Sequence, residues 1–146
     1  MKKVLILGGA GFVGYNLINT IPNKYQIEVW DNLSRGKQDF FFKAILKKRK
    51  IKLKKVNINN KVNLRLISNY DYIFFLIATV GVENVNKDPY FTFFNNFNGL
   101  YKIVNQLKKK QAKIKLIFFS TSEVYSNNYR FNFSKIPFKE KENILI

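Results

Sequence analysis

Four consecutive apolar residues, Val4-Leu5-Ile6-Leu7, run without a break into Gly8-Gly9-Ala10-Gly11-Phe12-Val13-Gly14, after which Leu17 and Ile18 continue in a helix-like pattern. Strand, glycine-rich turn and helix in that order leave a chain few choices. A buried parallel strand hands over to a helix whose first N–H groups have no partner within the helix itself. Gly8 allows the tight turn, Gly11 lets backbone N–H groups approach phosphate oxygens, and Gly14 lets helix and strand pack closely. Such a turn suits the pyrophosphate of a dinucleotide. The spacing is G-x-x-G-x-x-G instead of the commoner G-x-G-x-x-G, and glycines alone occur in many loops. The strand before and the helix after carry the reading.

Downstream, strands and helices alternate. Pro22-Asn23 closes the first helix, and Gln26–Trp30 reads as the second strand. Gln38–Arg49 reads as a helix with Phe40, Phe41, Ala44 and Ile45 on its inner face. Ile51–Ile58 is a third strand interrupted by lysines, and Lys61–Ser68 a short helical segment. Asp71–Ala78 is nearly all apolar, as a strand buried on both faces should be. Asp88-Pro89 supplies an N-cap and a first-turn proline for a helix reaching about Lys110. Along that helix Phe93, Phe97, Leu100, Val104 and Leu107 recur at spacings of four and three. The stripe reads as core packing, with part of it available to a partner subunit. Lys115–Ser120 is the fifth strand. The alternation predicts an α/β fold, a Rossmann-like doubly wound parallel sheet that stops after about five strands.

Asp31 ends the second strand 17 residues after Gly14. A carboxylate there accepts hydrogen bonds from the adenosine ribose hydroxyls and repels a 2′-phosphate, which favours NAD over NADP. Arg35 nearby works against that preference, and an Asp that only caps a turn is the competing reading.

Composition narrows the chemistry further. Cys and His are both absent, which excludes disulfides, thiolate nucleophiles, His-dependent triads and imidazole ligands, and no metal site is expected. The net charge of +17 gathers in Lys43–Lys55 and Lys108-Lys109-Lys110, both read as solvated ends of elements in a lysine-rich chain. Weak, salt-sensitive adhesion to polyanions follows from that charge, but no specific nucleic-acid partner is expected. No apolar run approaches the roughly 20 residues that span a bilayer. The first strand begins at the N-terminus without a signal-peptide pattern, so a cytoplasmic protein with no membrane partner is expected.

Four blocks in order give the chain a resemblance to the extended short-chain dehydrogenase/reductases, the NAD-dependent nucleotide-sugar epimerases and dehydratases. The similarity runs from Met1 to about Ser126. GGAGFVG resembles the family's phosphate turn, DNLSRG its ribose turn, FFLIATVGV its F-H-L-A-A strand end and STSEVY its fifth-strand end. Asn96 in NNFNG matches a fifth feature. The resemblance implies NAD held at its pyrophosphate by Gly8, Gly11, Phe12, Val13 and Gly14, and at its ribose by Asp31 and Asn32. Asn57 and Ile58 would lie beside the adenine, with Asn57 where the family usually has Asp. Leu76, Ala78 and Thr79 would line the cofactor where the fourth strand ends, Asn96 completes that set, and Ser120 would sit near the nicotinamide. Thr121 corresponds to the catalytic Ser/Thr that hydrogen-bonds the sugar oxygen being oxidised. Ser122 and Glu123 match residues that assist the second chemical step. The implied substrate is a nucleotide sugar that passes through a transient 4-keto form while NAD takes up and returns hydride.

One part of the family's equipment is missing from the sequence. Its base is the Tyr of a Tyr-x-x-x-Lys pair, and no Tyr here has Lys four positions on; Tyr125, for example, is followed at that distance by Tyr129. Leu7, Phe75 and Ser126 also depart from the usual Thr, His and Gly. The expected plan is an NAD-binding domain over 1–126 and the start of the active-site loop region over 127–146, with the C-terminal substrate domain absent. The expected function is the NAD-binding portion of a nucleotide-sugar epimerase, dehydratase or decarboxylase, inactive alone and able to pair as a homodimer through residues 88–110. A non-catalytic NAD-binding module, either a sensor or a degenerate fragment, is the alternative.

Overall fold

Val4 and Ile6 face one side of the first strand, Leu5 and Leu7 the other, and all are buried. A strand that alternates between two apolar faces belongs in the middle of a covered parallel sheet. The fold is seen in a computed structural model that describes residues 1–35, 39–60, 62–110 and 113–121. Its strands are β1 (Lys3–Leu7), β2 (Gln26–Asp31), β3 (Lys52–Lys55), β4 (Tyr72–Phe75) and β5 (Lys115–Phe118). They form one sheet in the order β3-β2-β1-β4-β5, and every neighbouring pair is parallel.

Helices cover both faces, as the doubly wound expectation requires. On one face α1 (Phe12–Thr20) and α2 (Phe40–Lys48) bring Ile18 and Phe42 onto Val4, Ile6, Ile27 and Val29. On the other, a 3-10 turn (Leu64–Asn69) contributes Ile67, and α4 (Pro89–Lys110) contributes Ile103, onto Leu5, Leu7, Ile73 and Phe75. A further short helix, α3 (Val82–Lys87), precedes α4 and has no counterpart in the sequence reading. Asp88 caps α4 as expected, its Oδ1 accepting from Phe91 N at 2.8 Å. No helix among the described residues is long and apolar enough to cross a membrane.

Three strands end earlier than the sequence suggests. β3 stops at Lys55 instead of Ile58, β4 at Phe75 instead of Ala78, and β5 at Phe118 instead of Ser120. The cause is the loss of partners. β1 turns away at Gly8, so the last rung it offers β4 is Leu76 N donating to Leu7 O at 2.8 Å. Likewise Val56 N donates to Asp31 O at 2.8 Å where β2 ends. Residues past these rungs are freed from the ladder and become loop walls.

Two helix faces also differ. In α2 the inward residues are Phe42, Ile45 and Leu46, while Phe40 and Phe41 are 79% and 67% exposed and Ala44 is exposed. Asp39 caps this helix through Oδ1 to Phe42 N at 2.8 Å, and that cap sets its rotation. In α4 the buried line runs through Thr92, Gly99 and Ile103, with Leu100 and Leu107 beside it. Phe93, Phe97 and Val104 lie outside it, exposed; Phe97 stacks on Phe93 and Tyr101 with centroids 6.0 Å apart in each pair. The short helical segment expected over 61–68 is the 3-10 turn Leu64–Asn69.

A polar cluster tied to Glu28 sits between β2 and β3. Glu28 Oε1 meets Lys54 Nζ at 2.7 Å and accepts from Trp30 Nε1 at 2.6 Å. Burial pushes the Glu28 carboxyl up, but the hydrogen bonds from Lys54, Trp30 and Tyr70, with the Lys54 charge, outweigh it and hold the group below its ordinary value. A carboxyl lowered in the folded state contributes stability that is present above its unfolded value near 4.5 and lost as pH falls through its folded value. Wild type is therefore expected to lose stability faster than Glu28→Gln below the unfolded value. Urea denaturation across that range checks it, and parallel pH profiles would refute it.

Candidate functional site

The chain moves outward from β1 to β2 and β3, then crosses back to β4 on the opposite side of β1. A sheet that reverses direction in this way leaves a crevice beyond the carboxyl ends of its strands, where ligands of open α/β sheets bind. Here that crevice has a volume of about 420 Å³ and is walled by the turn after β1, the loops after β2 and β3, and the loop after β4.

The turn after β1 forms the first wall. Gly8 has φ +78, and a Cβ there would come within 2.9 Å of the Leu76–Ile77 backbone. Its N–H extends the ladder to Trp30 O at 2.7 Å. Gly11 is the N-cap of α1, and no side chain caps that helix end. Gly11, Phe12, Val13 and Gly14 all line the crevice, so the uncapped first turn of α1, whose N–H groups have no partner within the helix, borders it. A Cβ built on Gly11 meets nothing within 4 Å. Open space in front of an uncapped helix end fits an anionic diphosphate.

Asp31, 8% exposed, ends β2 and forms the second wall. Its Oδ2 accepts from Ala10 N at 2.9 Å and its Oδ1 from Leu33 N at 2.7 Å. The carboxylate thus caps its own turn and also ties the β2 loop to the phosphate turn. Each carboxylate oxygen has two lone pairs, which leaves acceptor capacity toward the crevice. Asn32 lines it too, its Oδ1 accepting from Ser34 N at 3.0 Å. Arg35 spans the mouth, its guanidinium donating to Val80 O at 3.3 Å.

The remaining walls come from residues freed at the strand ends. Asn57 and Ile58 line the crevice after β3; Ile58 is buried, and Asn57 Oδ1 accepts from Asn59 N at 3.0 Å. Leu76, Ala78 and Thr79 line it after β4. Asn96 is not in the lining. It clamps the Thr79 backbone instead, with Oδ1 accepting from Thr79 N at 2.6 Å and Nδ2 donating to Thr79 O at 3.0 Å. Ser120 and Thr121 follow β5, exposed and outside the crevice lining. Ser122 and Glu123 lie outside the described residues, as does the segment expected to begin the active-site loop.

Sequence reading missed Val56, Asn59, Ile77, Val80 and Asn95, which also line the crevice. Val56, Ile77 and Val80 adjoin residues that were found, so their loops were the available signal. Nothing in the local sequence sets Asn59 or Asn95 apart. Among the described residues no cluster of acidic side chains could hold a metal ion.

A model of the NAD dependent epimerase/dehydratase family matches residues 4–143. UDP-N-acetyl-alpha-D-glucosaminuronate decarboxylase of Bacillus cytotoxicus is 31% identical over 126 residues, which is 85% of this chain and 38% of that protein. dTDP-D-glucose 4,6-dehydratase of Dictyostelium discoideum is 31% identical over 133 residues, covering 87% of this chain and 30% of its own. Among solved structures, UDP-N-acetylglucosamine 4-epimerase from Methanobrevibacter ruminantium, in complex with UDP-N-acetylmuramic acid, superposes with a TM-score of 0.76 at 29% identity. That match takes in 99% of this chain and 44% of the other. The chain thus spans less than half the length of each of these relatives.

Proposed function

From the premise that this chain belongs to the NAD dependent epimerase/dehydratase family, we propose that it holds NAD for an enzyme that remodels nucleotide sugars through a transient 4-keto intermediate. The observation that carries the reading is the uncapped N-terminus of α1, open at Gly11 and facing the same crevice as Asp31. Bound NAD supplies reversible hydride uptake. The chain's own groups do the holding. N–H groups around Gly11, Phe12 and Val13 take the pyrophosphate, Asp31 and Asn32 the adenosine ribose, and Asn57 and Ile58 the adenine. Leu76, Ala78 and Thr79 form the wall leading toward the nicotinamide, with Ser120 at its end. Thr121 binds the sugar hydroxyl being oxidised, and Ser122 and Glu123 serve the step that follows.

In this reading residues 1–126 serve as the NAD-binding domain and 127–146 as the start of the active-site loop region. The exposed aromatic side of α4 is the surface for a second copy. The lack of a Tyr-x-x-x-Lys pair in the sequence favours one second reading, an NAD-binding module without catalysis. Both readings share a test. Calorimetric titration of the 146-residue chain should show NAD binding, weaker NADP binding, and no turnover of UDP- or dTDP-sugars. Asp31→Ala should weaken NAD by about tenfold or more and erase the preference over NADP. Equal affinity for NAD in wild type and Asp31→Ala would overturn the site, and turnover by this chain would overturn its inactivity.

A further inference from the structure

The loop after β3 is held by a set of contacts that the sequence did not signal. Lys102, in the C-terminal half of α4, donates from Nζ to Asn59 O at 2.6 Å, Asn60 O at 3.3 Å and Ile58 O at 3.4 Å. One ammonium with three donors thus gathers three successive carbonyl oxygens, matching its whole donor capacity. The Asn59 side chain is gripped from both sides. Asn98 Nδ2 donates to Asn59 Oδ1 at 3.0 Å, and Asn59 Nδ2 donates to Asn95 Oδ1. Asn95 Nδ2 passes the chain of bonds on to Thr79 Oγ1 at 3.0 Å, across the crevice in the loop after β4. Gly99 lets α4 come this close, since a Cβ there would stand 2.8 Å from Ile58 Cγ2.

Lys102 and Asn98 hold this wall from outside the crevice lining, to which Asn59 and Asn95 themselves belong. The loop is continuous with the rung between Val56 N and Asp31 O, so whatever it aligns is aligned relative to the Asp31 carboxylate. Turning the carbonyls of residues 58–60 toward Lys102 leaves Asn57 and Asn59 as the polar residues of this loop in the crevice lining, with the Asn59 amide held by Asn95 and Asn98. We propose that Lys102 and Asn59 are positioning residues for the adenosine end of the bound dinucleotide, acting through the wall formed by Asn57 and Ile58. The inference rests on the reading of the crevice as a dinucleotide site. It assigns α4 a role there beyond packing on the sheet.

The test separates the two ends of the ligand. Lys102→Met keeps the apolar stem and removes the donors; Asn59→Ala removes the amide; Lys102→Arg restores donors to the same place. AMP probes the adenosine end and inorganic pyrophosphate probes the N-terminus of α1. Titrations are run at a temperature where circular dichroism shows each variant fully folded. Lys102→Met and Asn59→Ala should each weaken AMP and NAD by the same factor, about tenfold. Pyrophosphate affinity should stay at the wild-type value, and Lys102→Arg should recover most of the loss. A general loosening of the fold would instead lower the melting temperature and leave AMP affinity intact, or weaken both probes alike, and either result overturns the assignment. If Lys102→Met does not fold, Asn59→Ala decides, because Ile58 still anchors the loop. Should wild type bind pyrophosphate but neither AMP nor NAD, the dinucleotide reading itself fails and the inference with it.

Discussion

Gly14→Ala should cost the fold about 4 kcal/mol and move its urea midpoint far below that of wild type. A Cβ on Gly14 would overlap the carbonyl oxygen of Gly9 and lie 2.5 and 2.6 Å from its Cα and C. All of these are backbone atoms, so no rotamer change can relieve the clash. Gly9 cannot retreat either. A Cβ on Gly9 would itself be 2.7 Å from Val29 Cγ1 and 2.9 Å from Ile6 Cγ2, so its backbone already rests on the sheet. On both sides the turn is pinned, by Gly8 N to Trp30 O at 2.7 Å and Ala10 N to Asp31 Oδ2 at 2.9 Å. The helix would have to lift instead, taking Ile18 off the core it shares with Val4, Ile6 and Val29. Typical domains have only about 5–15 kcal/mol in hand. Urea denaturation followed by circular dichroism measures the effect, and an unchanged midpoint would show that α1 does not sit on the turn as described.

How legible the rest was depends on how local its cause is. β1 and the glycine turn could be read because period-two burial and close backbone approach are imposed by a few adjacent residues. The parallel, doubly wound sheet followed from the alternation of elements, since strands that alternate with helices pair in parallel through right-handed crossovers. The rotation of α2 was not readable in the same way. Phe40-Phe41-Phe42 offers three phases of equal apolar character, and only the cap at Asp39 selects the one that buries Phe42. In α4 the aromatic stripe outweighs, in the sequence, a buried line of Thr92, Gly99 and Ile103, whose small and polar members carry little hydrophobic signal.

The site divides along the same lines. Gly11, Asp31, Asn57 and Ala78 stand at the ends of strands, where a parallel sheet always places its ligand-facing loops, and they line one crevice. The family resemblance points to Asn96 as a cofactor contact, whereas in the structure it holds Thr79 by both backbone groups. Asn59, Asn95 and Lys102 act through partners 36 to 44 positions away in the chain. No spacing rule reaches that far.

Gly11→Val is the opposite case to Gly14→Ala, and together the two separate folding from binding within a single turn. The backbone at Gly11 has φ −90 and ψ 178, an extended conformation open to any residue, and a Cβ there meets nothing within 4 Å. Valine in place of glycine at an N-cap should change stability by about 1 kcal/mol at most. The cost falls on the crevice. Gly11 lines the crevice at the uncapped start of α1, so valine's branched side chain there should take up room a diphosphate needs to come within hydrogen-bond distance. Losing two or more charge-assisted hydrogen bonds of about 1.5–3 kcal/mol each predicts at least about a hundredfold weaker NAD binding. Pyrophosphate should weaken in parallel, since it occupies the same helix end. Calorimetry on a folded Gly11→Val chain checks both. Wild-type affinity for NAD in this variant would mean that the anion is held elsewhere, and the assignment of the first wall would have to be withdrawn.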